Sequence, residues 1–123
     1  EAAILGAWRD KYRRVTSLAD TRNGFSTELA LISHLDVMLA MDSANMHLAA
    51  LTHTPVVTVW GATHRYAGFL GYKVSPQLIV EQDIDCRPCS IFGNKPCHRG
   101  DYACLRQITP EQIIATLNKV LKP

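Results

Sequence analysis

The sequence has neither a long hydrophobic run nor a large excess of charge of one sign. No stretch approaches the roughly 18 apolar residues that a transmembrane helix needs, and no charged and then apolar leader is recognisable. A formal net charge of +2 over 123 residues is too small to indicate a nucleic-acid partner. Internal repeats and low-complexity segments are lacking as well. What remains is the composition of a small globular domain with its own hydrophobic core.

An initiating Met is also lacking, because the chain starts at Glu1 within a predicted helix over residues 1–12. We therefore expect a fragment of a longer protein, with earlier strands of the same domain missing. Apolar residues recur at helical spacing in this helix, at Ala3, Ile4, Ala7, Trp8 and Tyr12. Its other face carries Arg9, Asp10, Lys11, Arg13 and Arg14. A solvated helix end is the favoured interpretation of this basic cluster, and contact with an acidic membrane surface is the alternative.

Helical and strand-like apolar patterns alternate along the chain. After the first helix we predict a strand over 15–19, with Asp20 at its end. A turn at Asn23-Gly24 then leads into a helix that is capped by Ser26 or Thr27 and that buries Leu29, Ile32 and Leu35. A strand over 37–41, a helix to His53 and a strand over 56–60 follow. This order predicts an α/β domain with a parallel sheet covered by helices on both faces. Ligands of such sheets bind at the carboxyl edge of the strands.

The most informative stretch is the joint between the strand over 37–41 and the following helix, Asp42-Ser43-Ala44-Asn45-Met46-His47. The strand is continuously apolar, which predicts burial on both of its faces. Asp42 and Ser43 have the chemistry of a helix start, where unpaired amides and the helix dipole favour phosphate. His47 follows Ser43 by four residues, so its ring reaches the same volume.

Asp42 has a different predicted role, because an anion does not hold phosphate. We expect it to accept hydrogen bonds from sugar hydroxyls or to tie down loop amides. For Asp42 taken alone, a helix-capping role is as good an interpretation as ligand binding. For His47 taken alone, a solvated helix position is as good an interpretation as ligand binding.

The loop over 62–72 leaves the sheet at the same edge. Thr63 and His64 are placed to contact a ligand bound there, whereas Tyr66, Phe69 and Tyr72 are interpreted as core residues of a structural cover. One more short strand is predicted over 78–80. The final helix starts with a capping box and a Pro at Thr109-Pro110-Glu111-Gln112. Its predicted buried stripe is Ile113, Ile114, Leu117, Val120 and Leu121.

Four cysteines lie between these last two elements, at Cys86, Cys89, Cys97 and Cys104. The first pair has the spacing of a zinc knuckle, but the second pair is too widely spaced to form one. A structural zinc site is one interpretation. Reduced structural thiols, or a disulfide formed on handling, are the others, since nothing in the sequence indicates an oxidising compartment.

Taken together, these motifs resemble the carboxy-terminal part of glycosyltransferase family 9, which contains the ADP-heptose:lipopolysaccharide heptosyltransferases. The family pattern is an aliphatic strand, D-[ST]-G-x-x-H-x-A-A, a Pro-led strand ending in Gly and Thr, C-x-P-C, two further cysteines and an I-x-P-E helix. The chain keeps this order over almost its whole length, from Asp42-Ser43-Ala44-Asn45-Met46-His47-Leu48-Ala49-Ala50 through Pro55 to Trp60, Gly61, Thr63, Cys86-Arg87-Pro88-Cys89, Cys97 and Cys104 to Ile108-Thr109-Pro110-Glu111.

The resemblance implies a GT-B fold, in which two Rossmann-like domains face each other. Residues 1–123 would be the carboxy-terminal, donor-binding domain, with a cysteine-containing loop at 86–104. The positions that match the donor-binding loop, or that lie beside it, are Asp42, Ser43, Ala44, Asn45, His47 and Thr63, and Glu1 matches a family glutamate that holds the donor ribose. The family has Gly where this chain has Ala44, which predicts ordinary backbone geometry and leaves the donor open. The loop Thr63-His64-Arg65 also departs from the commoner family sequence.

The implied function is transfer of a heptose-like sugar from a nucleoside diphosphate to a lipopolysaccharide-type glycan. Helix-start amides and His47 would stabilise the pyrophosphate leaving group without a bound metal. The catalytic base would lie in the missing amino-terminal domain, so the fragment alone is expected to be inactive. The expected location is the cytoplasm, at the periphery of the inner membrane of a Gram-negative bacterium.

Two alternatives remain beside this one. The first is a non-catalytic, zinc-stabilised α/β domain that binds a protein partner. The second is another GT-B relative, such as a nucleotide-sugar epimerase, against which the cysteine pattern argues.

Overall fold

A computed structural model of the chain describes residues 2–19 and 22–121. Its helices are α1 (Ala2–Lys11), α2 (Phe25–Ser33), α3 (Ala44–Leu51), α4 (Ala103–Arg106) and α5 (Pro110–Leu117), and its strands are β1 (Met38–Met41), β2 (Val56–Val59) and β3 (Ile79–Val80). Short 3₁₀ turns span Arg65–Ala67 and Pro76–Leu78. Within the described ranges, no helix is long and apolar enough to cross a membrane.

The strands form a parallel sheet in the order β1-β2-β3. Met38 lies opposite Val56, and Thr58 lies opposite Ile79. Helix α3 connects β1 to β2, as the local apolar pattern requires. The predicted α/β class, a Rossmann-like parallel sheet with helices on both faces, is therefore confirmed.

Each face of the sheet has its own core. On one face, α2 and α3 pack against the strands through Ile32, Ala40, Met46, Ala49, Ala50, Val56, Trp60 and Val74. On the other face, the buried side chains of Val57, Val59 and Val80 contact Ile113 and Leu117 of α5. The alternation of side chains along β2 sends neighbouring residues to opposite cores, so β2 is buried along its whole length.

Strand β1 is less buried than its sequence predicts. Leu39 and Met41 are each 48% exposed, although Ala40 between them is buried. The reason is that α5 packs over β2 and β3, while β1 lies at the edge of the sheet that the described residues form. The prediction of burial on both faces is wrong for the α5 side of β1.

The predicted strand over 15–19 is not formed. Among the described residues, Val15 donates its amide to Tyr12 O (3.2 Å) and Ala19 donates to Ser17 Oγ (3.2 Å), which are local turn contacts and not ladder bonds. A strand needs a neighbouring strand, and β1 does not pair with this segment. Asp20 lies outside the described residues.

The first helix is confirmed as α1, but it has no buried residue. Ile4, Trp8 and Tyr12 are about half exposed. Leu5 and Gly6 are half-buried, whereas the predicted apolar face is exposed.

The loop over 62–72 is also more open than predicted. Phe69 is half-buried against the α3 side of the core, as expected. Tyr66 and Tyr72 are 81% and 68% exposed, so their assignment to the core is wrong. Both rings lie beside the cation of a neighbouring residue, at 5.1 Å from Arg65 Cζ and 5.2 Å from Lys73 Nζ.

Helices α2 and α5 differ in detail from prediction. Helix α2 begins at Phe25 after Gly24, whose φ of 56° favours glycine, and neither Ser26 nor Thr27 caps it.

Helix α5 has the predicted capping box between Thr109 and Gln112. Its predicted buried stripe is partly wrong, since Ile114 and Leu121 are 54% and 43% exposed and the buried residue is Thr116. Leu35, predicted to be buried, is 36% exposed because it lies beyond the end of α2.

Candidate functional site

The candidate site lies where β1 and β2 end. Asp42 directly follows β1, and its amide donates to Val59 O at 3.2 Å, which holds the two strand ends together. Asp42 itself is half-buried. This is the carboxyl edge of a parallel sheet, the edge at which such folds bind ligands.

Helix α3 starts at this edge with Ser43 as its N-cap residue. Ser43 has an extended backbone, and its side chain makes no capping hydrogen bond to the helix. The Met46 amide donates to Ser43 O at 3.1 Å, and the amides of Ala44 and Asn45 before it are the ones that a ligand anion could use. Ala44 is the first helical residue and is not among the residues with positive φ. Its predicted ordinary backbone geometry is confirmed.

A hollow of about 230 Å³ opens at the start of α3, and we call it the helix hollow. It is lined by Asp42, Ser43, Ala44, His47, Phe69, Ile91 and Phe92. The structure thus brings together four of the predicted site residues. Asn45 instead lines a separate groove with Leu18 and Ile32, away from the helix hollow.

A second hollow, of about 330 Å³, lies beside the first above the ends of the strands, and we call it the strand hollow. Its lining includes Asp42, Thr63, Phe92, Lys95 and Tyr102. Thr63 lines this hollow but is buried, with 7% of its surface exposed, and its predicted contact with a ligand stays a prediction. His64 lines neither hollow, because its Nδ1 accepts the Tyr66 amide (3.2 Å) and caps a 3₁₀ turn. Glu1 lies outside the described residues.

Asp42 and Phe92 line both hollows, so the two adjoin. Together their volume falls within the range of about 300–1,000 Å³ that small-molecule sites occupy. A further hollow of about 280 Å³ lies at the other end of β2, where His53, Pro55 and Lys73 line it. That end carries the amino termini of the strands, so we assign the site to the carboxyl edge.

The buried guanidinium of Arg87 connects the cysteine-containing loop to the site. Its Nε donates to Gly61 O (2.6 Å) and its Nη2 donates to Thr63 O (3.0 Å). Nη1 donates to Gln82 O, and Nη2 also contacts Glu81 (2.9 Å). The Arg87 side chain is only 3% exposed. These bonds fix the backbone after β2, which forms part of the strand hollow.

The four cysteines are all free thiols. Within residues 2–19 and 22–121, no group of three or more His, Cys, Asp or Glu side chains is arranged to hold a metal ion. Burial raises the pKa of Cys104, and the neighbouring thiols Cys89, Cys97 and Cys86 raise it further. A hydrogen bond from the Tyr102 amide lowers the pKa of Cys97, so the pKa values of these two thiols are shifted in opposite directions. The zinc site stays a prediction.

The sequence interpretation did not assign Arg87, Ile91, Phe92 and Lys95 to the site. The loop that carries Ile91, Phe92 and Lys95 lies between cysteines and has no periodic pattern. Only the tertiary fold brings this loop back to the sheet edge, where these residues line the same hollows as Asp42. The local signal that was present is an apolar pair, Ile91-Phe92, in an otherwise polar loop. A large exposed apolar pair is a common mark of a binding surface.

The chain matches the family model described as glycosyltransferase family 9 (heptosyltransferase) over residues 8–95, well over half of its length. The chain belongs to glycosyltransferase family 9. The match includes both strand ends, all of α3 and the loop through Lys95. Cys97, α4 and α5 of this family 9 chain lie beyond the matched residues.

Two curated relatives support this assignment. This family 9 chain is 26% identical over 91 residues to Lipooligosaccharide heptosyltransferase 2 of Campylobacter jejuni subsp. jejuni serotype O:2, covering 74% of the chain and 27% of that relative. It is 24% identical over 92 residues to the protein of the same name from serotype O:6, covering 75% of the chain and 28% of that relative. The chain thus spans about a quarter of the curated relatives it matches. No solved structure matches it.

Proposed function

We propose that this chain supplies the donor-binding part of a glycosyltransferase. The reaction is transfer of a heptose-like sugar from a nucleoside diphosphate to a lipopolysaccharide-type glycan. Membership of family 9 supports the reaction class, and the name of the two relatives supports the acceptor. The single observation that supports the site is the grouping of Asp42, Ser43, Ala44 and His47 around one hollow at the sheet edge.

In this proposal the donor pyrophosphate binds at the start of α3. The uncapped amides after Ser43 donate to phosphate oxygens, and the His47 ring donates to them from the first helical turn. Asp42 accepts hydrogen bonds from sugar hydroxyls. The same groups stabilise the negative charge that develops on the leaving diphosphate, and no step in the proposal requires a bound metal.

We further propose that the catalytic base belongs to a second, facing domain of a GT-B enzyme. These 123 residues would then bind donor weakly and transfer no sugar. The enzyme would act in the cytoplasm. The exposed α1 face with Trp8 and Tyr12, beside Lys11, Arg13 and Arg14, is its candidate contact with an anionic membrane surface.

The test is titration calorimetry of the chain with ADP- and UDP-sugars. We expect one of these donors to bind, and we expect Asp42→Asn and His47→Ala each to weaken it about tenfold, because each removes one charge-assisted or polar contact. Asp36→Asn is the matched control for the first variant, since Asp36 is exposed and precedes the other end of β1. His98→Ala, an exposed histidine that lines neither hollow, is the control for the second.

Two results would contradict the proposal. One is the absence of binding to any nucleotide sugar, and the other is unchanged affinity in both site variants. Sugar transfer by these residues alone would contradict the separate placement of the base.

A further inference from the structure

Phe92 is a large apolar side chain held in an exposed position. Its ring is 73% exposed, although burial would remove a large apolar area from water. The ring of Phe69 packs against it, with 5.7 Å between the ring centroids and 62° between the ring planes, and Phe69 is itself packed against the core. Phe92 is therefore supported on one side by Phe69, while most of its side chain stays exposed.

The position of Phe92 relative to the site is specific. It lines the helix hollow together with Ser43, Ala44 and His47, and it lines the strand hollow together with Thr63 and Lys95. A ligand that fills both hollows must pass this ring. Ile91 adds a second apolar side chain beside it in the helix hollow.

We propose that Phe92 binds the donor by stacking on its nucleobase. This inference rests on the proposed function, because it takes the phosphates to lie at the start of α3. Every nucleobase has a planar π-face, and an exposed aromatic side chain that packs against a neighbouring ring offers a matching flat surface. The cysteine-containing loop thereby forms one wall of the donor site, opposite the Asp42–His47 joint.

The test compares variants of Phe92 in the full chain, with ADP, UDP and their sugar conjugates as probes in titration calorimetry. Phe92→Ala should weaken the binding of the free diphosphate and of its conjugate equally, by roughly five- to a hundredfold. Phe92→Tyr should stay within about threefold of the native affinity, because it keeps the ring. Phe92→Leu should lose nearly as much as Phe92→Ala, because it keeps apolar area without a π-face.

The matched control is Tyr66→Ala, which removes a ring that is 81% exposed and lines neither hollow, and which should leave affinity unchanged. Equal affinities of Phe92→Ala and native chain would overturn the inference, as would full recovery in Phe92→Leu. A loss confined to the sugar conjugates would overturn it too, since the ring would then contact the sugar. If Asp42→Asn weakens binding while Phe92→Ala does not, only this inference fails. If no diphosphate or conjugate binds at all, the proposed function fails with it.

Discussion

At the scale of single residues, Arg87 shows why a buried charge can persist in a small domain. Its guanidinium donates to the carbonyls of Gly61, Thr63 and Gln82 and pairs with Glu81. Burial of a charge is costly unless its hydrogen-bonding capacity is used, and the planar fork of arginine offers five donors for this purpose. A lysine ammonium has fewer donors and cannot take the same planar arrangement.

We expect Arg87→Met to lower the free energy of unfolding by about 3 kcal/mol, because it leaves buried carbonyls and part of a carboxylate without a donor. Arg87→Lys should recover part of this loss. The measurement is urea denaturation followed by circular dichroism.

Arg65→Met is the matched control, because Arg65 also approaches Glu81, at 3.5 Å, but is 27% exposed. Its loss should be less than about 1 kcal/mol. Equal losses in the Arg65 and Arg87 variants would show that the multiple bonds of Arg87 do not stabilise the fold.

At the scale of elements, β1 and β2 pair directly and yet differ in burial. Leu39 lies opposite Val57 in the register, on the face that α5 covers, but Leu39 is 48% exposed and Val57 is fully buried. Their sequences are similarly apolar. The difference comes from the position of α5 over β2 and β3.

Replacement of an apolar residue by Thr should therefore have different effects in the two strands. We expect Val57→Thr to cost about 2 kcal/mol of unfolding free energy, since it buries a hydroxyl without a partner. Leu39→Thr should cost less than about 1 kcal/mol, because its side chain is already half in water and Thr suits a strand. Chemical denaturation of both variants measures the difference. A larger loss for Leu39→Thr would mean that β1 is covered on this face in solution.

The sequence predicted those elements whose signals are local. The strand–helix–strand unit around Asp42 follows from apolar spacing, and the start of α5 follows from Thr109 and Gln112. Which strand lies at the sheet edge is not a local property, so the exposure of Leu39 was not predictable from its apolar neighbours. The failed strand over 15–19 has the same cause, because a short apolar run specifies no pairing partner.

At the scale of the whole molecule, the two cores and the cysteines are separate features. Neither core cluster includes a cysteine among the described residues. Burial raises the pKa of Cys104, and all four cysteines are free thiols. If these thiols are reduced and structural, which is one of the interpretations given above, the fold does not depend on a metal.

We therefore expect an excess of chelator to leave the thermal midpoint of the chain unchanged. Metal analysis of protein purified without chelator should be run on the same sample. The double variant Cys86→Ser, Cys89→Ser serves as the reference. One zinc per chain that is lost in this variant, together with a lowered midpoint, would instead support the zinc-stabilised domain.

The site was predictable only on the side formed by contiguous sequence. Asp42, Ser43, Ala44 and His47 are close because one turn of chain separates them, and their spacing predicted their grouping. Phe92 and Lys95 reach the same hollows from a loop some 50 residues later in the sequence. Their positions depend on tertiary bonds such as those of Arg87, for which residue spacing carries no signal.

The hydrogen bonds of the Arg87 guanidinium also have a kinetic consequence. They fasten the base of the loop to the backbone after β2, and the Cys89 amide adds a bond to Ala62 O at 3.1 Å. Residues 91–96, beyond this anchor, are all exposed. We therefore expect adjustment to an arriving ligand to be concentrated in this short tip. Loop rearrangements of this size typically take nanoseconds to microseconds, so we expect them not to limit the rate at which a donor enters or leaves.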